Sequence, residues 1–101
     1  MNLLSIIVPV YNEEGSIGSL IQKLKKLDLS ISNFRKEIII VNDGSTDRSA
    51  SIIESFDEIV IKNQDNQGKG SAVQNGIESA NGHYLLIQDG DLEYNPDDII
   101  K

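Results

Sequence analysis

Asp89 and Asp91, separated only by Gly90, carry the sharpest chemistry in this chain. Two carboxylates at that spacing can bind one hard cation directly or through water, and Mg or Mn is the natural guest for oxygen ligands of this kind. A cation held there would neutralise a diphosphate and stabilise it as a leaving group. The pattern alone is weak, because a solvated acidic turn also produces it, so its meaning depends on where the fold puts it. Gly68-Lys69-Gly70 is the second candidate. Its glycines let the backbone come close to a ligand at a helix N-terminus, and its lysine adds a positive charge suited to a phosphate or to sugar hydroxyls. It is not a P-loop, since Asn63 stands where the first glycine is required and Gly70 replaces the Ser or Thr that should follow the lysine.

Charge sets a condition on any ligand. With 16 acidic and 9 basic residues the formal net charge is -7, so a nucleic-acid backbone meets mostly repulsion and no nucleic-acid partner is expected. An anionic small molecule can still bind if helix N-termini, local lysines or a divalent cation offset the carboxylates. The absence of cysteine excludes disulfides and thiolate metal sites, leaving oxygen ligands or the single His83. Hydrophobic residues at 39% and charged residues at 25% describe a globular domain that folds in water. No apolar run approaches the roughly 20 residues of a membrane helix, and the first residues lack a secretory leader, so a cytoplasmic location is expected. The length suits one compact core but is short for an enzyme handling two substrates. A single domain over residues 1–101, incomplete, is the expectation.

The elements that must position these residues follow from periodicity. Residues 3–8, 37–41, 58–61 and 84–87 are short apolar or β-branched runs with little alternation, as parallel strands covered on both faces require. Between them, Ile17, Leu20, Ile21, Leu24 and Leu27 form one helical stripe, Ile52, Ile53 and Phe56 a second, and Ala72, Val73, Gly76, Ile77 and Ala80 a third. Asn12, Ser45 or Thr46, and the Gly68-Lys69-Gly70 turn are the expected helix starts, and Asn81-Gly82 the expected stop of the third helix. Pro96 fits the first turn of a further helix, and residues 29–36 read as a surface loop. The β-α-β-α-β-α-β order predicts an open, doubly wound, mostly parallel α/β sheet.

In such a sheet ligands bind beyond the carboxyl ends of the strands, and all four ends lead into polar segments. They are Pro9-Val10-Tyr11-Asn12-Glu13-Glu14, Asn42-Asp43-Gly44-Ser45, residues 63–70, and Gln88-Asp89-Gly90-Asp91-Leu92-Glu93. Polar loops and helix caps would explain any one of them; four together, one with paired carboxylates, point to a single crevice. Asp43 is placed either to hydrogen-bond a ribose hydroxyl or base N–H, or to cap the second helix. Tyr11 either stacks on a base or belongs to the core. His83 lies at the opposite end of the sheet and reads as structural. No G-x-G-x-x-G follows the first strand, which excludes a dinucleotide-cofactor enzyme.

These four segments, in this order on alternating elements, resemble the successive signatures of family 2 glycosyltransferases with the A-type fold. The likeness spans nearly the whole chain, and the last two segments are most similar to dolichyl-phosphate mannosyltransferases and bacterial polyprenyl-phosphate sugar transferases. The resemblance implies that Pro9, Tyr11, Glu13 and Asp43 surround the nucleoside, that Asp89 contacts donor or metal, and that Asp91 coordinates a Mg or Mn ion at the diphosphate. It places Glu93 where that branch has a further metal ligand, often Gln, and sets Lys69 toward the phosphates. It further implies a nucleoside-diphosphate sugar donor such as GDP-mannose or a UDP-hexose, inversion at the anomeric carbon, and a polyprenyl phosphate acceptor at the inner membrane surface. The acceptor-binding residues and any general base follow the segment seen here in the family.

Two other readings compete. A donor-binding module without turnover would keep the fold and the binding. A phosphoryl-transfer or receiver-like domain with an Asp-Mg centre has a similar size and pattern. The motif order disfavours the latter, because the acidic pair follows the fourth strand rather than the first and Glu93 stands where a dehalogenase-type motif expects Thr or Val.

Overall fold

Asn2–Val10 forms β1, Phe34–Asp43 β2, Val60–Gln64 β3 and Tyr84–Ile87 β4. Ile17–Lys26 forms α1, Ser49–Glu54 α2 and Lys69–Ser79 α3. This computed structural model describes residues 2–89, apart from the Ile31 side chain. Asp91, Glu93 and the helix expected at Pro96 lie outside the described residues.

The strands make one parallel sheet in the order β3-β2-β1-β4. The chain steps outward from β1 to β2 and β3, then returns across the sheet through α3 to place β4 on the other side of β1. The order therefore reverses between β1 and β4, and that reversal leaves a crevice beyond their carboxyl ends. The predicted doubly wound α/β architecture is what the chain adopts.

Alternation along β1 splits the core in two, because successive side chains point to opposite faces. Ile6, Val8 and Val10 join Ile38 and Ile40 of β2 against Ile17, Leu20, Ile21 and Leu24 of α1 and Ile53 of α2. Ile7, Ile39 and Val41 point the other way, to Ala72 of α3. Each buried Ile, Leu or Val side chain among them contributes about 1.5–3 kcal/mol relative to exposure. The second face is tightly spaced: a β-carbon built on Gly76 would overlap Ile7 Cγ2. Glycine at that position is what lets α3 lie close on β1.

Several boundaries differ from the sequence expectation. The four strands are not all covered on both faces: β3 and β4 are the edges, and Val60, Tyr84, Leu85 and Ile87 are exposed. The third strand starts and ends later than expected. Glu58 has φ 63, outside the extended region, while Lys62, Asn63 and Gln64 pair with Val41, Asn42 and Asp43. Backbone pairing carries the strand past its apolar run into the polar crevice residues.

Residues 29–36 are not simply a surface loop. Leu29 is buried, Ser30–Ser32 makes a single 3-10 turn, and β2 begins at Phe34. Pro9 sits inside β1, and its position explains the tolerance. The Ile7 carbonyl accepts the Gln88 N–H at 2.9 Å on the β4 side. Pro9, two residues on, turns its donor-less nitrogen to that same side, past the last β1–β4 pair at Ile7 and Ile87.

Candidate active site

α3 starts at the expected Gly68-Lys69-Gly70 turn, but α1 and α2 start later than their cap signals suggested, and the displaced cap residues tie the crevice loops together instead. Asn12 has φ 52 and does not cap α1, whose N-cap is Ser16. Its side-chain oxygen accepts the N–H groups of Thr46 and Asp47 at 2.7 and 3.3 Å, bonding the loop after β1 to the loop after β2. Ser45 returns the link by accepting the Asn12 N–H at 3.0 Å, and the buried Ser49 hydroxyl accepts the Glu13 N–H at 2.8 Å. The carboxylate that serves the start of α2 is Asp47, which accepts the Ser49 N–H at 2.8 Å. Burial pushes the Asp47 carboxyl up, but the bonds from Ser49 and from the Glu14 N–H outweigh it and hold it below its ordinary value.

Asp43 does not cap α2; it braces the start of α3 instead. It is 3% exposed. One carboxylate oxygen accepts the Gln67 N–H at 2.8 Å and the Gln64 side-chain amide at 2.7 Å; the other accepts the Gly68 N–H at 3.0 Å. Burial pushes this carboxyl up, yet the donors from Gln67, Gln64 and Gly68 together keep it below its ordinary value. Gly44 follows with φ 72, and a β-carbon there would come within 2.7 Å of the Asn66 backbone nitrogen. Glycine is required on both counts, and it lets the β2–α2 and β3–α3 loops meet.

With α3 anchored in this way, Lys69, its first residue, reaches across the crevice and its ammonium donates to an Asp89 carboxylate oxygen. Asp89 itself follows Gln88, a buried residue bonded through its N–H to β1. The structure thus brings Lys69 and Asp89 into contact, and Asp43 acts on Lys69 through the α3 start. Pro9 is buried at the end of β1, Tyr11 is 46% exposed and so no core residue, and Glu13 lies on the loop that Ser49 holds.

Asn12, Gln64, Ser49 and Gln88 were not singled out from the sequence as site residues. For Asn12 and Ser49 a cap-like residue type was the only signal. His83 stands at the other end of the sheet, where it exchanges bonds with Leu3: its N–H donates to the Leu3 carbonyl, and its ring nitrogen accepts the Leu3 N–H. A pocket of about 140 Å³ lined by Lys25, Lys36, Ile38 and Glu58 also lies away from the crevice, and both lysines there donate to backbone carbonyls.

Among the described residues no group of three or more His, Cys, Asp or Glu side chains is gathered to hold a metal ion. Asp89 supplies one hard oxygen donor, its side chain 28% exposed at the crevice. A hard carboxylate oxygen of this kind is the donor type that Mg or Mn takes; Asp91 and Glu93, of the same donor type in the sequence, lie outside the described residues.

Comparison with known proteins bears on this crevice. Residues 5–101 match the family model described as glycosyl transferase family 2. Dodecaprenyl-phosphate galacturonate synthase of Rhizobium johnstonii is 36% identical over 104 residues, which cover 95% of this chain and 30% of that protein. S. aureus TarS in complex with UDP-GlcNAc superposes with a TM-score of 0.73 at 31% identity, covering 90% of this chain and 27% of that one. The mannosyltransferase PcManGT from Pyrobaculum calidifontis, in complex with GDP-Man and Mn2+, has a TM-score of 0.72 at 24% identity, covering 87% and 27%, and shares the fold. The chain spans about 30% of the length of the curated relatives it matches. These matches leave the phosphoryl-transfer or receiver-like reading without support.

Proposed function

The chain belongs to glycosyl transferase family 2, and from that membership we propose that it forms the donor-binding part of an enzyme moving a sugar from a nucleoside-diphosphate sugar to polyprenyl phosphate. The observation that carries the proposal is the meeting of Lys69 and Asp89 beyond the reversal of strand order, where one cationic and one anionic group face a crevice open to solvent. That placement suits a ligand with an anionic diphosphate and an accompanying cation. The name of the Rhizobium johnstonii relative supports the lipid-phosphate acceptor, and the UDP-GlcNAc in TarS supports the donor class.

In this reading Pro9, Tyr11, Glu13 and Asp43 line the nucleoside. The exposed Tyr11 ring is available to stack on the base, and the Asp43 brace fixes the wall behind it. Lys69 and the first N–H groups of α3 face the phosphates. Asp89, Asp91 and Glu93 would hold a Mg or Mn ion, which supplies charge neutralisation for the leaving diphosphate. The acceptor phosphate oxygen is already anionic near neutral pH, so no base is needed to deprotonate it. Its attack in line with the departing diphosphate inverts the anomeric carbon. Such an acceptor puts the reaction at a membrane surface; no helix among the described residues is long and apolar enough to cross one.

The test is transfer itself. The full-length protein is incubated with UDP- and GDP-sugars and a polyprenyl phosphate, the lipid product is weighed by mass spectrometry, and its anomeric configuration is read by NMR. A polyprenyl-phosphate sugar of inverted configuration is expected. Retention, or hydrolysis of the donor without lipid product, would contradict the proposal.

A further inference from the structure

Lys69 and Asp89 are separated by 20 residues and come from different elements, yet they form an ion pair across the crevice. Each is held by something rigid. Lys69 opens α3, whose preceding Gln67 and Gly68 N–H groups are bonded to the buried Asp43. Asp89 follows the buried Gln88, tied to the Ile7 carbonyl. The pair is therefore a product of the sheet topology, not of two flexible neighbours finding each other on one helix. It remains accessible: the side chains are 62% and 28% exposed.

A carboxylate already bonded to an ammonium offers less to a second cation, and an ammonium already bonded to a carboxylate offers less to a phosphate. Both groups nevertheless face the place where a diphosphate and its cation would enter. We infer that Lys69 is the resident counter-ion of Asp89 in the donor-free protein and exchanges partners on binding, moving to the diphosphate while Asp89 turns its oxygen to the cation. This rests on the donor-site reading given above.

The exchange makes metal and donor binding mutually dependent. Either ligand alone must break the Lys69–Asp89 bond while replacing it for only one member, whereas both together replace it for both. Metal and nucleotide then bind with positive coupling, each raising the affinity for the other by the same factor. In a chain of net charge -7, such a placeholder also keeps a carboxylate of the crevice neutralised until the donor arrives.

The test separates the two ligands. Binding of Mn alone is titrated by loss of the free-ion electron paramagnetic resonance signal, and binding of UDP and GDP in Mn by calorimetry. Both are measured on the full-length parent, Lys69→Met and Lys69→Arg, with far-UV circular dichroism to verify the fold. Lys69→Met is expected to bind Mn alone about two- to fivefold tighter than the parent, the range a part-exposed ion pair supports, and to bind the nucleoside diphosphate more weakly. Lys69→Arg is expected to keep the parent's weaker affinity for Mn alone. If Lys69→Met binds Mn alone no better than the parent while the nucleotide still weakens, Lys69 is a phosphate ligand only and the exchange is overturned. A parent that binds neither Mn nor nucleotide would overturn the donor-site reading and the exchange together.

Discussion

Asp43, the last residue of β2, holds the backbone N–H of Gly68, the residue before α3, at 3.0 Å. With the Gln67 N–H on its other oxygen, this carboxylate decides where α3 begins and therefore where Lys69 points. It is 3% exposed, and its role is to fix the frame on which the other crevice side chains act.

Replacing it tests the brace. Asp43→Asn keeps the size but turns one acceptor into a donor facing backbone N–H groups, so unfolding free energy at pH 7 should fall by about 1–3 kcal/mol. Urea melts measure it. The pH dependence has a definite sign. The folded carboxyl titrates below its ordinary value of 3.8, so its contribution is present above that value and is lost as pH falls through the lower folded one. The gap between parent and variant should be full at pH 5–7 and shrink below about pH 4. A gap that grows on acidification would be the wrong sign.

Gly76 predicts a packing defect. Gly76→Ala forces its methyl into Ile7 Cγ2, and overpacking of this kind costs about 1–3 kcal/mol. In an Ile7→Ala background, where the obstructing atoms are gone, the same substitution should cost less, giving a coupling of about 1 kcal/mol or more in a double-mutant cycle. Additive costs would mean that α3 does not rest on β1 at this point.

The opposite end of the strands has its own brace, and it should be separable from ligand binding. Ser5, fully buried, donates to Glu37 at 2.5 Å and accepts the Gly82 N–H at 2.8 Å, while Glu37 accepts the Asn81 N–H at 2.6 Å. Ser5→Ala strands the Gly82 donor and should lower stability by about 1–2 kcal/mol in thermal melts. Nucleotide affinity should stay unchanged, because the crevice lies at the other ends of these strands.

How much of this could be read from the chain depends on the range of the interaction. The β1 and β2 runs and the α1 stripe were legible because Ile6 to Val8, Ile38 to Val41, and Ile17, Leu20, Ile21 and Leu24 are buried at the periods that strands and helices impose. The arrival of Asp43, Lys69 and Asp89 at one sheet edge followed from the strand-helix alternation alone. What was not legible is bonding between loops far apart in sequence. Asn12 looks like a helix cap, yet its partners, Thr46 and Asp47, lie more than 30 residues away. Asp43 looks like a cap for the next helix, and instead accepts the N–H groups just ahead of the one after it. The edges were misjudged for a related reason: Leu85 and Ile87 have the composition of buried residues, but burial depends on which strands sit beside them.

The central claim, a crevice built for a nucleoside diphosphate with its cation, is tested most directly by calorimetric titration of UDP and GDP into the full-length protein. Titrations run first in Mn and then in chelator, for the parent and for Asp89→Asn and Asp91→Asn. The account predicts binding of one of the two nucleotides in Mn, with affinity falling tenfold or more, about 1.4 kcal/mol, in chelator or in either variant. Equal affinity of the parent in Mn and in chelator and of both variants in Mn, or no binding of either nucleotide by the parent in Mn, would contradict it.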